Sequence, residues 1–347
     1  MNIRFFAVLA STLSAVTAFT QQADMSLVPY RQGNKWGYAS PEKTIVIKPI
    51  YDEANWFYSG YASVKKDGKF GYINKAGKLV IPYKFTVAKP FRYGYISKGA
   101  NQKEDTVLFA GASLQASGYE ICINTKGERM AKCPAINENT DAGNRQPTTI
   151  TQEKSYSITN DSLFDKIVDD YRINGAADNY YIASKDNRYG VINNKFEVIV
   201  PFEYATIKKL DLGNKVYLEV QKNGMTGLYN SNGTPAINVD NNKVTYVKGR
   251  DGGDYFIASK NGISTVLDTD SKPLLSDKYS DIMYDNTGGF ILTGSDNRKG
   301  YYFLDKQLIS PKYVDVKPMN GGKYVLVTTA SGKTGYVSAS GDEYFNE

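Results

Sequence analysis

Apolar and polar positions alternate with a period of two along most of this chain, in short runs such as "YASVKK", "YYIASK", "VYLEVQK", "YFIASK", "FILTGS" and "YVLVTT". That period predicts strands with one buried face. Each run ends at residues that accept positive φ: Gly33-Asn34, Asp67-Gly68, Ser117-Gly118, Asp186-Asn187, Asn223-Gly224, Asn261-Gly262, Asp296-Asn297 and Ser331-Gly332. Tight hairpins between right-twisted strands need such residues. Three positions later come Gly37, Gly71, Ile121, Gly190, Gly227, Thr265, Gly300 and Gly335. Three further on, a second turn opens at Ser40, Asn74, Asn124, Asn193, Asn230, Asp268 and Ser338, with Asp305 taking that role in the Gly300 copy. An Asn or Asp side chain there can accept a bond from its own backbone two residues on.

A short apolar strand follows the second turn, then a proline and an aromatic: Pro49 with Tyr51, Pro82 with Phe85, Pro201 with Tyr204, Pro311 with Tyr313. Proline has no N–H to donate and belongs on a strand edge. The tail is aromatic-x-x-aliphatic, as in Tyr51 and Ala54 or Tyr204 and Ile207, a short fourth piece expected to dock on the same core. The unit is a three-stranded antiparallel meander, its anchors mostly about 34 to 38 residues apart. Alone it cannot bury its apolar face, so it must stack on its neighbours. The polar stretch near 137–155 is expected to be an exposed insertion in a decorated third unit. The expected organisation is one all-β domain over residues 19–347, of about eight units.

Composition agrees with strands. Twenty-eight Tyr and 31 Gly against 6 Met suit pleated surfaces and tight turns rather than helical bundles. The net charge of +6 is spread without a run of five like charges, which argues against nucleic acid as a partner. Residues 1–18 carry Arg4, a short apolar stretch and a Val16-Thr17-Ala18 cleavage pattern, and are expected to be a removed secretory signal. No later segment is long and apolar enough to be a transmembrane helix. The mature chain is thus expected to be exported, whether periplasmic, cell-surface or secreted.

An exported chain with Cys122 and Cys133 invites a disulfide. A hairpin turning at Asn124 to Gly127 sets Cys122 opposite a residue near Arg129, about four positions short of Cys133, and at about 3.3 Å per residue that offset exceeds disulfide reach. The pair closes only if a bulge or an irregular end brings the two together.

Lys35-Trp36-Gly37-Tyr38, Phe70-Gly71-Tyr72-Ile73-Asn74 and Pro82 to Phe85 resemble the bacterial WG (KWG) repeat proteins. The resemblance extends over residues 27–347, although Trp survives at the signature position only as Trp36 and the copies at Ile121 and Thr265 lose the Gly. It implies a repeat scaffold and no common chemistry. A propeller-like ring hides most strand edges and is the preferred closure; an open β-solenoid is the alternative.

Histidine is absent, which removes histidine-based triads, histidine metal sites and the commonest general base. No cofactor or metal is expected. Carboxylate pairs such as Asp52 with Glu53, Asp169 with Asp170 and Asp281 with Asp285 are the remaining catalytic option. "SGKTG" at Ser331 to Gly335 lacks the first glycine of a phosphate loop, Val327 standing there instead. Two aromatic groups remain: Trp56, Phe57, Tyr58 and Tyr61, and in the next unit Phe91, Tyr93 and Tyr95. Trp56, Tyr58, Tyr61 and Tyr93 are candidate binding residues, aromatic rings with polar tips being common in interfaces and sugar platforms; the same group can instead fill the core between units. The expected function is a non-catalytic module holding a protein or envelope glycan. A carboxylate-dependent glycan hydrolase and a self-assembling structural envelope protein are the alternatives.

Overall fold

The computed structural model describes residues 23–96, 105–115, 118–136, 163–172, 179–213, 215–305, 307–319 and 322–346. The leader expected over residues 1–18 and the insertion expected near 137–155 lie outside them. The chain is all-β, a series of small antiparallel sheets, most with their strands in sequential order. It divides into two compact units, Met1–Thr148 and Thr149–Glu347.

In the first unit, Val28–Gln32, Lys35–Ala39 and Ile45–Tyr51 form one meander, and Glu53–Ala54, Tyr61–Lys66, Lys69–Asn74 and Leu79–Phe85 the next. A third sheet is built on the long strand Asp105–Ser113. Its first half pairs with Arg92–Ile96, and its second half lies between Val87–Ala88 and Ile121–Ile123. In the second unit, Lys166–Tyr204, Thr206–Asn241 and Asp281–Tyr313 each fold as four strands, while Lys243–Asp268 and Asp315–Ser338 each fold as three.

The hairpin turns follow the residues that predict them. Asp67-Gly68, Asp186-Asn187, Asn223-Gly224 and Asn261-Gly262 all have positive φ at both positions, as type I′ turns require. At the second turn Asn74 Oδ1 accepts from Ala76 N at 3.1 Å and Lys78 N at 3.0 Å. Asn124, Asn193 and Asp268 repeat the same pair of bonds.

The recurring glycine is required by crowding, since its φ is not in the left-handed region. Tyr72 pairs with Ile81 and Phe70 with Phe85, so the single residue Gly71 faces the three residues Pro82, Tyr83 and Lys84. The bulged third strand folds back over the glycine, and a Cβ on Gly71 would stand 2.6 Å from the Ile81 carbonyl oxygen. Gly227 meets Ile237 O at the same 2.6 Å. Proline falls inside the bulge at Pro49, Pro82, Pro201 and Pro311, where the ladder asks for no N–H. Around Ile121 and Thr265, which lack the glycine, the third segment pairs only through isolated bridges, Ile123 with Arg129, and Ser264 with Tyr279 and Leu267 with Pro273.

The fourth piece docks differently from expectation. Tyr51 stays in its own sheet, but Glu53–Ala54 pairs with Tyr61–Lys66 and is the first strand of the next sheet. The single residue between them bonds across: Asp52 N to Lys65 O, 2.8 Å. Thr86, Ala205, Asn242 and Val314 make the equivalent bond. A tyrosine hydroxyl often completes the joint, Tyr38 donating to Asn55 O at 2.7 Å and Tyr72 to Lys89 O at 2.8 Å. Core clusters form between successive sheets, one joining Tyr38, Ile47 and Tyr51 to Phe57, Val64 and Ile73.

Candidate binding site

The predicted aromatic group separates into interior and surface. Trp56 is 4% exposed; Phe57 and Phe91 are fully buried, Phe57 packing on Tyr38 with ring centroids 4.8 Å apart. These three belong to the core between sheets. Tyr58 and Tyr61 are half-buried and flank the Ser59-Gly60 turn, their backbones exchanging N–H···O bonds of 2.8 and 3.0 Å. Burial raises the Tyr58 hydroxyl above the ordinary tyrosine value. The Tyr61 ring lies 4.9 Å from Phe91. Tyr93, 49% exposed, lies directly opposite Leu108 on the ribbon formed by Arg92–Ile96 and Asp105–Phe109, with Tyr95 two residues along the same strand.

The ribbon is braced by the cysteines. Ile123 faces Arg129 and Met130 N bonds Cys122 O at 2.8 Å, as the hairpin predicts. The chain then bends at Ala131 and Lys132 and returns Cys133 to Cys122, with Cα atoms 5.3 Å apart and the disulfide formed. The regular hairpin ends too soon to close the bridge, and the irregular end closes it. Beyond it, Tyr95 and Ala135 exchange backbone bonds of 2.8 and 2.9 Å.

Four of the candidate carboxylates, Asp52, Glu53, Asp169 and Asp285, are held by ion pairs or hydrogen bonds. Asp52 pairs with Lys35 at 2.5 Å and Glu53 with Lys65 at 2.7 Å. Asp285 accepts from the N–H of Thr287, Gly288 and Gly289 and from the hydroxyls of Thr287 and Tyr301. Among the described residues no group of three or more acidic or cysteine side chains is placed to hold a metal ion.

A cleft of about 380 Å³ opens in the second unit, lined by Lys215, Asn230, Pro235, Ala236, Thr269, Asp270 and Ser271. It lies between the sheet Thr206–Asn241 and the second turn of the following sheet. The Tyr217 hydroxyl, 1% exposed as a residue, donates to Thr269 O and pins that turn in place. Lys215 Nζ donates to Asp270 Oδ1 at 2.9 Å and to Thr269 Oγ1 at 3.2 Å. Their mutual bond raises the Lys215 ammonium and lowers the Asp270 carboxyl from their ordinary values.

Against this geometry, a family profile described as "WG containing repeat" matches residues 36–70, 70–97 and 189–224. Over these three stretches the chain carries WG repeats. Among solved structures the WG-repeat chain is similar to Kluyvelomyces marxianus Hsv2, at 12% identity over 48% of this chain and 60% of that one, TM-score 0.26. It thus spans less than two thirds of Hsv2. It is also similar to dihydro-heme d1 dehydrogenase NirN in complex with DHE (12% identity, 93% of this chain, 73% of that chain, TM-score 0.30). A third likeness is to the Dos1 propeller (10% identity, 94% and 97%, TM-score 0.25). Curated protein sequences give no match.

The WG repeat itself shows how the cleft arises. Where other copies begin the third strand with Ile45-Val46, Leu79-Val80 or Val198-Ile199, this copy has Pro235-Ala236. Where the second turn of the following sheet carries a glycine, it packs on that strand: Gly77 on Ile47, Gly127 on Ile81 and Gly233 on Ile199. Here the equivalent residue is Ser271, at φ 62°. The sequence signal for this cleft is Pro235-Ala236 at a place where the other copies carry larger aliphatic pairs, and no aromatic residue marks it.

Proposed function

We propose that this WG-repeat chain is an exported, non-catalytic scaffold whose surface holds an envelope glycan or a protein. The repeat fold supplies the scaffold: within each unit, cross-bonds at Asp52 and Thr86 and at Ala205, Asn242 and Val314 tie one sheet to its successor. The observation that carries the binding reading is Tyr93, a half-exposed ring opposite Leu108 on a ribbon braced by a disulfide. A rigid aromatic face with a polar tip loses little entropy on docking and suits both a sugar face and a protein surface.

Two features support export. The cysteines are joined, which fits an oxidising compartment, and the first 18 residues have the charge and apolar pattern of a leader. The lysine partners of Asp52 and Glu53 support the non-catalytic reading, because these carboxylates tie strands together.

The test is binding of the purified chain to immobilised envelope glycans and peptidoglycan fragments, beside Tyr93→Ala. Truncating this half-exposed ring leaves the core intact, whereas truncating Trp56 opens it. Saturable binding weakened about tenfold or more in the variant is the expected result. Absence of saturable binding by the unaltered chain to any glycan or protein partner overturns the reading.

A further inference from the structure

The Lys215–Asp270 cleft combines four departures from the repeat, and together they leave a furnished space. Pro235 and Ala236 replace bulky aliphatic residues, and Ser271 stands where three other copies have Gly77, Gly127 and Gly233. The fourth departure is Asn230. In the neighbouring copies the Asn or Asp at this position caps its own turn, but here Asn232 Oδ1 accepts from Thr234 N at 3.1 Å instead. The Asn230 side-chain amide makes no hydrogen bond among the described residues and lines the cleft.

We infer that this cleft is a binding site for a neutral sugar residue, resting on the reading of the chain as a glycan-holding scaffold. The charges on its wall already neutralise each other through the 2.9 Å Lys215–Asp270 bond. A zwitterionic ligand would have to break that pair to use either charge, whereas a polyol bonds to it as it stands. The ammonium has a further N–H to donate, and the second carboxylate oxygen and the Asn230 carbonyl accept, matching hydroxyls that both donate and accept. Pro235 and Ala236 offer a small apolar floor for a ring's C–H face. The volume of about 380 Å³ suits one sugar ring with its hydration and excludes a folded partner.

Amide chemical shifts of the full chain, titrated with glucose, galactose and N-acetylglucosamine and in parallel with the zwitterionic dipeptide glycylglycine, test the inference. The expected result is saturable shifts at Asn230, Ser271 and Thr269 with at least one sugar and none with the dipeptide. Ala236→Ile restores the aliphatic character of the other copies and should weaken sugar binding about tenfold or more while the remaining spectrum stays unchanged. Asn230→Ala, which retains the Asn232 turn cap, should weaken it too. Dipeptide binding in place of sugar overturns the inference, as does sugar binding that both variants leave intact. Glycan binding insensitive to Ala236→Ile and Asn230→Ala but weakened by Tyr93→Ala removes the cleft and keeps the scaffold reading; no glycan binding at all removes the cleft and the glycan half of that reading, leaving a protein as the scaffold's partner.

Discussion

The carbonyl oxygen of Ile81 stands 2.6 Å from the place a Cβ on Gly71 would occupy. The obstacle is backbone, held by the pairing of Tyr72 with Ile81 on one side and Phe70 with Phe85 on the other, so it cannot swing aside.

Gly71→Ala should therefore destabilise the chain by about 1–3 kcal/mol through overpacking, and Gly71→Asn by more. The control is Gly68, at φ 77° with open space around its would-be Cβ. Gly68→Asn should cost well under about 1 kcal/mol, because Asn tolerates that conformation and Asn187 adopts it in the equivalent turn. Denaturant midpoints of the three variants check this; equal losses would refute crowding as the reason for Gly71.

Tyr38→Phe and Tyr72→Phe keep the ring and delete the hydroxyls that bond Asn55 O and Lys89 O in the next sheet. Each leaves a carbonyl without its donor and should cost about 1–3 kcal/mol. Faster amide exchange should appear in the receiving strands, Glu53–Ala54 and Val87–Ala88, rather than across the whole chain.

Replacing both cysteines, Cys122→Ser with Cys133→Ser, should lower stability by about 2–3 kcal/mol, the range for a loop of this length. Exchange at the Tyr95 and Ala135 amides should accelerate, since the bridge holds the returning segment against the ribbon. Unchanged exchange there would show that the backbone pair stands without the bridge.

Asp254 gives a dependence on acid. Burial pushes its carboxyl up, but bonds from the Tyr246 hydroxyl and from Lys248 outweigh that and hold it below 3.8, its ordinary value. A folded value below the unfolded one means that the unfolded chain binds more protons in that window. The contribution is present above the unfolded value and lost as pH falls through the folded one. Asp254→Asn should thus be less stable than the unaltered chain at neutral pH, with a deficit that shrinks below about pH 4. Denaturation over a pH series measures it, and a constant deficit would contradict the assignment.

Local chemistry was legible in the sequence wherever one short stretch contains both partners. Asp67-Gly68 specifies its turn through positive φ, and Asn74 its cap through a side chain that reaches two and four residues on. Partners set by long-range register were not. The Cys122–Cys133 bridge depends on an irregular turn that regular ladder spacing counts against, and Trp56 has the same polar-tipped ring whether it is buried or exposed. Tyr51 and Ala54 read as one docking pair because only two residues separate them, yet the chain changes sheets between the two.

That change of sheet puts the period of duplication out of phase with the period of folding. The sheet Tyr61–Phe85 borrows its opening strand, Glu53–Ala54, from the tail of the preceding copy, and the sheet Val216–Asn241 borrows Thr206–Asp211 in the same way. Deleting one whole period within a unit would splice the tail of one copy to the body of another and regenerate a complete sheet at the scar. A cut placed at the apparent end of a copy would instead leave a sheet lacking its first strand. A truncation that keeps the sheets whole therefore falls inside the sequence motif, not at its apparent end.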